Sequence, residues 1–124
     1  MNPKEISFTQ PNFEIEWDEA KRYSEFRSIG KSEWVSLAKT GKPTRIFRTD
    51  DISNTDAAAT NSFSNLDKNK QERALSQISS GVVEMPIVAV YSDGWKELIG
   101  GNTRLTALMN IYGEATVWIF EVLR

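Results

Sequence analysis

The run Leu98-Ile99-Gly100-Gly101-Asn102-Thr103-Arg104-Leu105-Thr106-Ala107 sends apolar strand residues through a Gly-Gly turn into an amphipathic helix. The first backbone N–H groups of a helix have no intrahelical partner, and the helix dipole makes that end attractive to negative charge. Glycines let an anion come close to the backbone, and an arginine one turn in grips oxygen atoms with a planar fork. Gly100, Gly101, Asn102, Thr103 and Arg104 are therefore a candidate phosphate or nucleotide site. A plain strand-to-helix turn, with Asn102 as N-cap and Arg104 as a solvated charge on the side away from the core, has the same spacing. The spacing leaves both open. Lys39, Lys42, Arg45 and Arg48 form the dense basic run of the chain. They lie around an expected strand at 44–48. Basic residues protect edge strands from aggregation, and they could equally form a nucleic-acid or phosphate patch.

Composition narrows the chemistry. With no cysteine and no histidine among 124 residues, disulfides, thiolate nucleophiles and every histidine-containing triad are excluded. A zinc site would have to use carboxylates alone, so no protein-built metal centre is expected. The net charge of −2 means that DNA binding needs a local patch, and any such binding is expected to be weak. The length, with 40% hydrophobic and 26% charged residues, fits one domain over 1–124. No stretch is apolar enough to span a membrane and no signal-peptide pattern opens the chain, so a cytoplasmic protein without membrane partners is expected.

The elements that must position these residues follow from periodicity. Phe13, Ile15 and Trp17 alternate with Glu14 and Glu16, which predicts a short strand. Asp18 is placed to cap a helix reaching Arg27, with Ala20, Tyr23 and Phe26 inward. Ser32 is placed to cap another helix ending at Gly41, with Trp34, Leu37 and Ala38 inward. Residues 1–49 carry no nameable motif beyond the basic strand. Residues 50–64 are small and polar and are expected to form a mobile loop. Ser64 and Asp67 have capping-box-like spacing before a helix at 65–79, with Leu66, Ala74, Leu75 and Ile78 inward and Gly81 as its stop. A hairpin follows, with strands at 87–91 and 95–99 around Ser92-Asp93-Gly94. Leu105, Leu108, Met109 and Tyr112 give the next helix a buried stripe, Gly113 ends it, and 116–122 is an apolar strand covered on both faces. The fold class is α/β (α+β): a mixed sheet with flanking helices.

Over 66–122 the chain resembles the ParB/sulfiredoxin superfamily. The likeness lies in the helix ending at Gly81, in Val82-Val83-Glu84-Met85-Pro86-Ile87-Val88-Ala89-Val90, in the Asp93-Gly94 turn and in Glu97 through Ala107. Gly101, Arg104 and Ala107 fit the ParB-type signature, making 65–124 the ParB/sulfiredoxin-like core. The resemblance implies a nucleotide, ATP or CTP, bound with magnesium at the Gly-Gly-Asn-Thr-Arg turn, with phosphoryl transfer or hydrolysis in some members. Backbone N–H groups would hold the phosphates, Asn102 and Thr103 would assist, and Arg104 would neutralise charge. Asn102 replaces the cysteine of sulfiredoxins, which excludes their reaction. Thr103 replaces the second arginine of the ParB motif. The chain ends after its last strand, so a complete partition protein with a helix-turn-helix domain is not expected. No residue aligns to a catalytic position, although a kinase of this fold would need a carboxylate base and Glu84, Glu97, Asp50 and Asp51 are present. Stand-alone domains with Gly-Asn-Thr-Arg here are similar to phage-type proteins labelled ParB-like nucleases, which implies a bacterial or phage-infected cytoplasm. The alternatives are a DNA-directed nuclease or DNA-binding regulator and a non-catalytic protein-interaction module.

Overall fold

The computed structural model describes residues 5–47, 52 and 68–122. The elements run β1 (Ser7–Thr9), α1 (Phe13–Ala20), α2 (Ser24–Ala38), β2 (Lys42–Ile46), α3 (Lys68–Ser80), β3 (Val82–Glu84), β4 (Ile87–Tyr91), β5 (Lys96–Gly100), α4 (Asn102–Tyr112) and β6 (Ala115–Val122). Four strands form a mixed sheet in the order β2-β6-β4-β5, and β1 pairs with β3 in a second, parallel sheet. The expected mixed α/β class is what the chain adopts.

Strand alternation divides the core in two. Val88, Leu98, Ala115 and Val117 face Ala74 and Ile78 of α3 and Leu105 and Leu108 of α4. Ile87, Ala89, Ile99, Trp118 and Phe120 face Phe13 and Ala20 of α1 and Phe26, Trp34 and Ala38 of α2. The side chains of β4, β5 and β6 thus alternate between two apolar layers, and β6 lies between β2 and β4 as its continuous apolar pattern demands. Trp34, with 0% exposure, donates its indole N–H to the Phe13 carbonyl at 2.8 Å, so α2 is tied to the start of α1.

The N-terminal third departs from its sequence pattern. Residues 13–17 are the start of a helix, not a strand. Asn12 caps it, its Oδ1 accepting the Ile15 N–H at 3.2 Å. Phe13, Glu16 and Ala20 recur at helical spacing and are buried, whereas Ile15, which a strand would have buried beside Phe13, is 67% exposed. Asp18 lies inside α1 and pairs with Lys21 rather than capping a helix. The chain turns at 21–23 before α2, which breaks at Gly30 (φ 86°), a conformation open to glycine. Beyond the break Trp34 and Ala38 are buried as expected, and Leu37 is only half-buried.

In α3, Ala74 and Ile78 are inward and Leu75, expected inward, is 41% exposed. Gly81 (φ 80°) and Gly113 (φ 72°) end α3 and α4 as their positions predict. Ser64, Asn65, Leu66 and Asp67 lie outside the described residues. So does the loop expected at 50–64 apart from Ile52, which is 3% exposed and packs in the α3/α4 layer. Among the described residues no helix is long and apolar enough to cross a membrane.

Candidate functional site

β5 ends at Gly100 in register with Ile87, at the sheet end where α1 packs against β5. Gly101 then takes φ 87°, ψ 24° and serves as the N-cap of α4, with no side chain completing the cap. Asn102 is therefore the first helical residue and not the cap. The first intrahelical bond in which the turn takes part is Leu105 N–H to the Gly101 carbonyl, at 2.9 Å. The N–H groups at the head of α4 are the ones a helix cannot pair internally.

Gly101 is required by what lies against it, and a side chain on Gly100 would have to displace the Glu16 carboxyl. A Cβ on Gly100 would stand 2.5 Å from Oε2 of Glu16, and one on Gly101 would stand 2.7 Å from Cα of Pro86 and 2.8 Å from Nη2 of Arg104. The close approach expected of a phosphate is in this structure made by the chain's own carboxyl and guanidinium groups. α1 supplies Glu16 and the first turn of α4 supplies Arg104.

Arg104 is not a solvated charge pointing away from the core, as its sequence position suggested. Its side chain is 18% exposed, and Nε donates to the backbone carbonyl of Glu84 at 2.9 Å. Nη2 lies 3.5 Å from Oε1 of Glu16 and 4.0 Å from Oε1 of Glu84. These are ion-pair contacts without hydrogen-bond geometry, so Nη2 is buried with donors unused, and Oδ1 of Asn102 is likewise buried without a partner. The Glu84 backbone is itself fixed from α3, its N–H reaching Oε1 of Gln77 at 3.1 Å.

Glu16 is 9% exposed, and burial, which disfavours the ionised form, raises its pKa to about 7. Arg104 works against that rise. A hydrogen bond shared with the Glu84 carboxyl and the negative charges of Glu84 and Glu19 add to it. The site is thus a cation between two carboxyl groups, one of them able to change charge near neutral pH.

Sequence reasoning missed Glu16, because a strand at 13–17 sends it outward with Glu14. The available signal was Asn12 as a cap followed by Phe13, Glu16 and Ala20 at helical spacing, which puts a glutamate on the apolar side of α1. Of the carboxylates present for base chemistry, Glu84 lies at the turn. Glu97 instead accepts the indole N–H of Trp95 at 2.6 Å, and Asp50 and Asp51 lie outside the described residues.

The basic run does not join this site. β2 is an edge strand separated from β5 by β6 and β4. Arg45 is bound to the Glu114 carboxylate and its guanidinium lies 5.2 Å from the Phe47 ring centroid. Lys39 and Lys42 are exposed, and Arg48 lies outside the described residues. Among the described residues no three acidic, histidine or cysteine side chains form a group suited to hold a metal ion. The chain matches no family model, no curated protein and no solved structure.

Proposed function

We propose that the protein binds a nucleotide or other phosphate ligand at the turn formed by Gly100, Gly101, Asn102, Thr103 and Arg104. The observation that carries this reading is the buried Nη2 of Arg104, held beside a helix start that has no side-chain cap and left without a hydrogen-bond acceptor. An arginine locked through Nε to a carbonyl loses little side-chain entropy when its outer nitrogens take an anion. The head of α4 adds N–H donors and the positive end of the helix dipole, and residues 101–104 are half-buried rather than sealed.

Magnesium would arrive with the nucleotide, already bearing phosphate oxygens and water. The residues present suit it. Asn102 Oδ1, in the first turn of α4, is an oxygen donor without a partner. Asn102 would help hold the metal-bound phosphate, whose charge the ion would neutralise, while Arg104 and the backbone N–H groups orient the phosphate. The resemblance to ParB/sulfiredoxin-like domains supports the same ligand class. The DNA-directed alternative has less support, because Arg45 is already paired and the basic strand lies on another edge of the sheet.

The test is thermal unfolding with ATP, ADP, CTP and GTP, each with magnesium. A ligand that binds only the folded chain raises its stability by mass action, about 2.7 kcal/mol at a hundredfold excess over Kd. Stabilisation by at least one of the four supports the reading, and a flat response to all four at millimolar concentration overturns it.

A further inference from the structure

We infer that the protein has a second ligand site, a cavity at the other end of the sheet from the glycine turn, and that it takes a small molecule with an apolar body and one positive charge. β4 starts at Ile87, in register with Gly100 at the turn, and finishes at Tyr91, in register with Val122 at the cavity. The cavity has a volume of about 560 Å³, within the range of about 300–1,000 Å³ that small-molecule sites occupy. The buried Phe26 and Val122 line it together with the half-buried Leu37 and with Ile29.

The break in α2 opens this space. Gly30 has φ 86° and ψ 169°, a combination essentially confined to glycine. Phe26 and Ile29 precede the break and Leu37 follows it, so the cavity lies between two helical segments and the last residues of β6. Ile29 is 42% exposed there, and a bound apolar body would remove that surface from water.

Charge selects the occupant. Glu25 and Glu121 belong to the lining, and no lysine or arginine does. Glu25 stands in the first turn of α2, and its Oε1 accepts the Tyr91 hydroxyl at 2.9 Å, which ties the carboxylate to β4. A hydroxyl is a neutral donor, so it orients that carboxylate without cancelling its charge. Glu121 comes from β6 and is exposed. An anion would meet two like charges here, and a neutral molecule would draw on neither. An ammonium on an aryl or alkyl body gains from the carboxylates and from the apolar wall together. The volume is several times that of one lysine or arginine side chain, so a whole small ligand fits better than the side chain of a basic peptide.

Tryptamine, its neutral analogue tryptophol and the anion indole-3-propionate share the indole body and differ in charge. Each is titrated against the full chain at about pH 7 and low salt, with amide and methyl chemical shifts followed by NMR. Tryptamine should move the signals of Ile29, Leu37 and Val122 and bind about fivefold or more tighter than tryptophol, with indole-3-propionate weakest. In E121Q, tryptamine should weaken about two- to fivefold and tryptophol should be unchanged. In I29W, which fills the cavity from an exposed position, none of the probes should bind there. Equal affinity for all the probes overturns the inference, because the cavity would then be merely apolar. Tryptamine shifts that fall elsewhere on the chain overturn it, as does absence of binding by every probe at millimolar concentration. An acetylated lysine-leucine peptide that binds at these residues where tryptamine does not overturns it in favour of a protein partner. Should I29W fail to fold, the probe series on the native chain and on E121Q decides. Nucleotide binding at the glycine turn is read separately by thermal unfolding and stands or falls independently.

Discussion

Replacing Glu16 by glutamine should make the protein more stable in alkaline solution and change it little in acid. The reasoning starts from a buried carboxyl whose pKa rises from 4.5 to about 7 on folding. In that window the folded chain binds more protons than the unfolded chain, so stability falls as pH rises. The contribution is fully present below about pH 4.5 and lost by the time pH has passed about 7. Each pH unit between those two values is worth about 1.4 kcal/mol, so the whole loss is about 3 kcal/mol. Glutamine keeps the shape and carries no charge at any pH, so it does not incur the loss. Measured by urea unfolding, the advantage of the variant should widen from under about 1 kcal/mol at pH 5 to about 3 kcal/mol at pH 8.5. Any fixed cost of exchanging an O–H for an amide is the same at both pH values and cancels in that comparison. In thermal unfolding the gap corresponds to roughly 10 °C for a chain of this size. A gap that does not change between pH 5 and pH 8.5 would refute the argument, since it would mean that Glu16 ionises alike in the folded and unfolded chain.

Arg104→Met should destabilise the chain by about 3–5 kcal/mol, because it strands two carboxyl groups without their cation, and the loss should be larger at pH 8 than at pH 5, where Glu16 is neutral. Equal losses at both pH values, read by urea unfolding, would reduce Arg104 to a packing residue. Gly101→Ala should cost about 1–3 kcal/mol through its φ of 87° and the 2.7 Å approach to Pro86, and should weaken nucleotide binding. A stable variant with intact binding would show that the turn relaxes. Duplex DNA should bind weakly and be lost steeply with salt, each neutralised phosphate adding about 0.9 to the slope of log affinity against log salt. Arg45→Ala should change stability by less than about 1 kcal/mol, since that arginine is exposed, and a larger loss in unfolding experiments would give the Glu114 pair a structural weight its exposure does not suggest.

Most of the second half of the fold was legible in the sequence, because its signals are local. Gly81, Gly94 and Gly113 mark chain reversals that need positive φ, the strands at 87–91 and 115–122 are apolar because both faces are covered, and the stripe through Leu105 and Leu108 sets the inner side of α4. The candidate turn was legible for the same reason: strand, glycines and helix follow one another along the chain. The alternation at 13–17 misled because Phe13, Ile15 and Trp17 fit period two as well as a helix. Only the cap at Asn12 and the packing of Phe13 and Ala20 against the sheet separate the two readings. The contents of the site were decided by tertiary structure. Glu16 reaches Gly100 from far along the chain, brought there by α1 lying on β5, and Arg104 turns inward because the Glu84 carbonyl of β3 is placed to receive its Nε. Local sequence fixes where a chain turns and which side of an element is apolar. Which charges then share a buried space depends on how layers stack, and that stacking sets the desolvation that moves Glu16 toward neutrality.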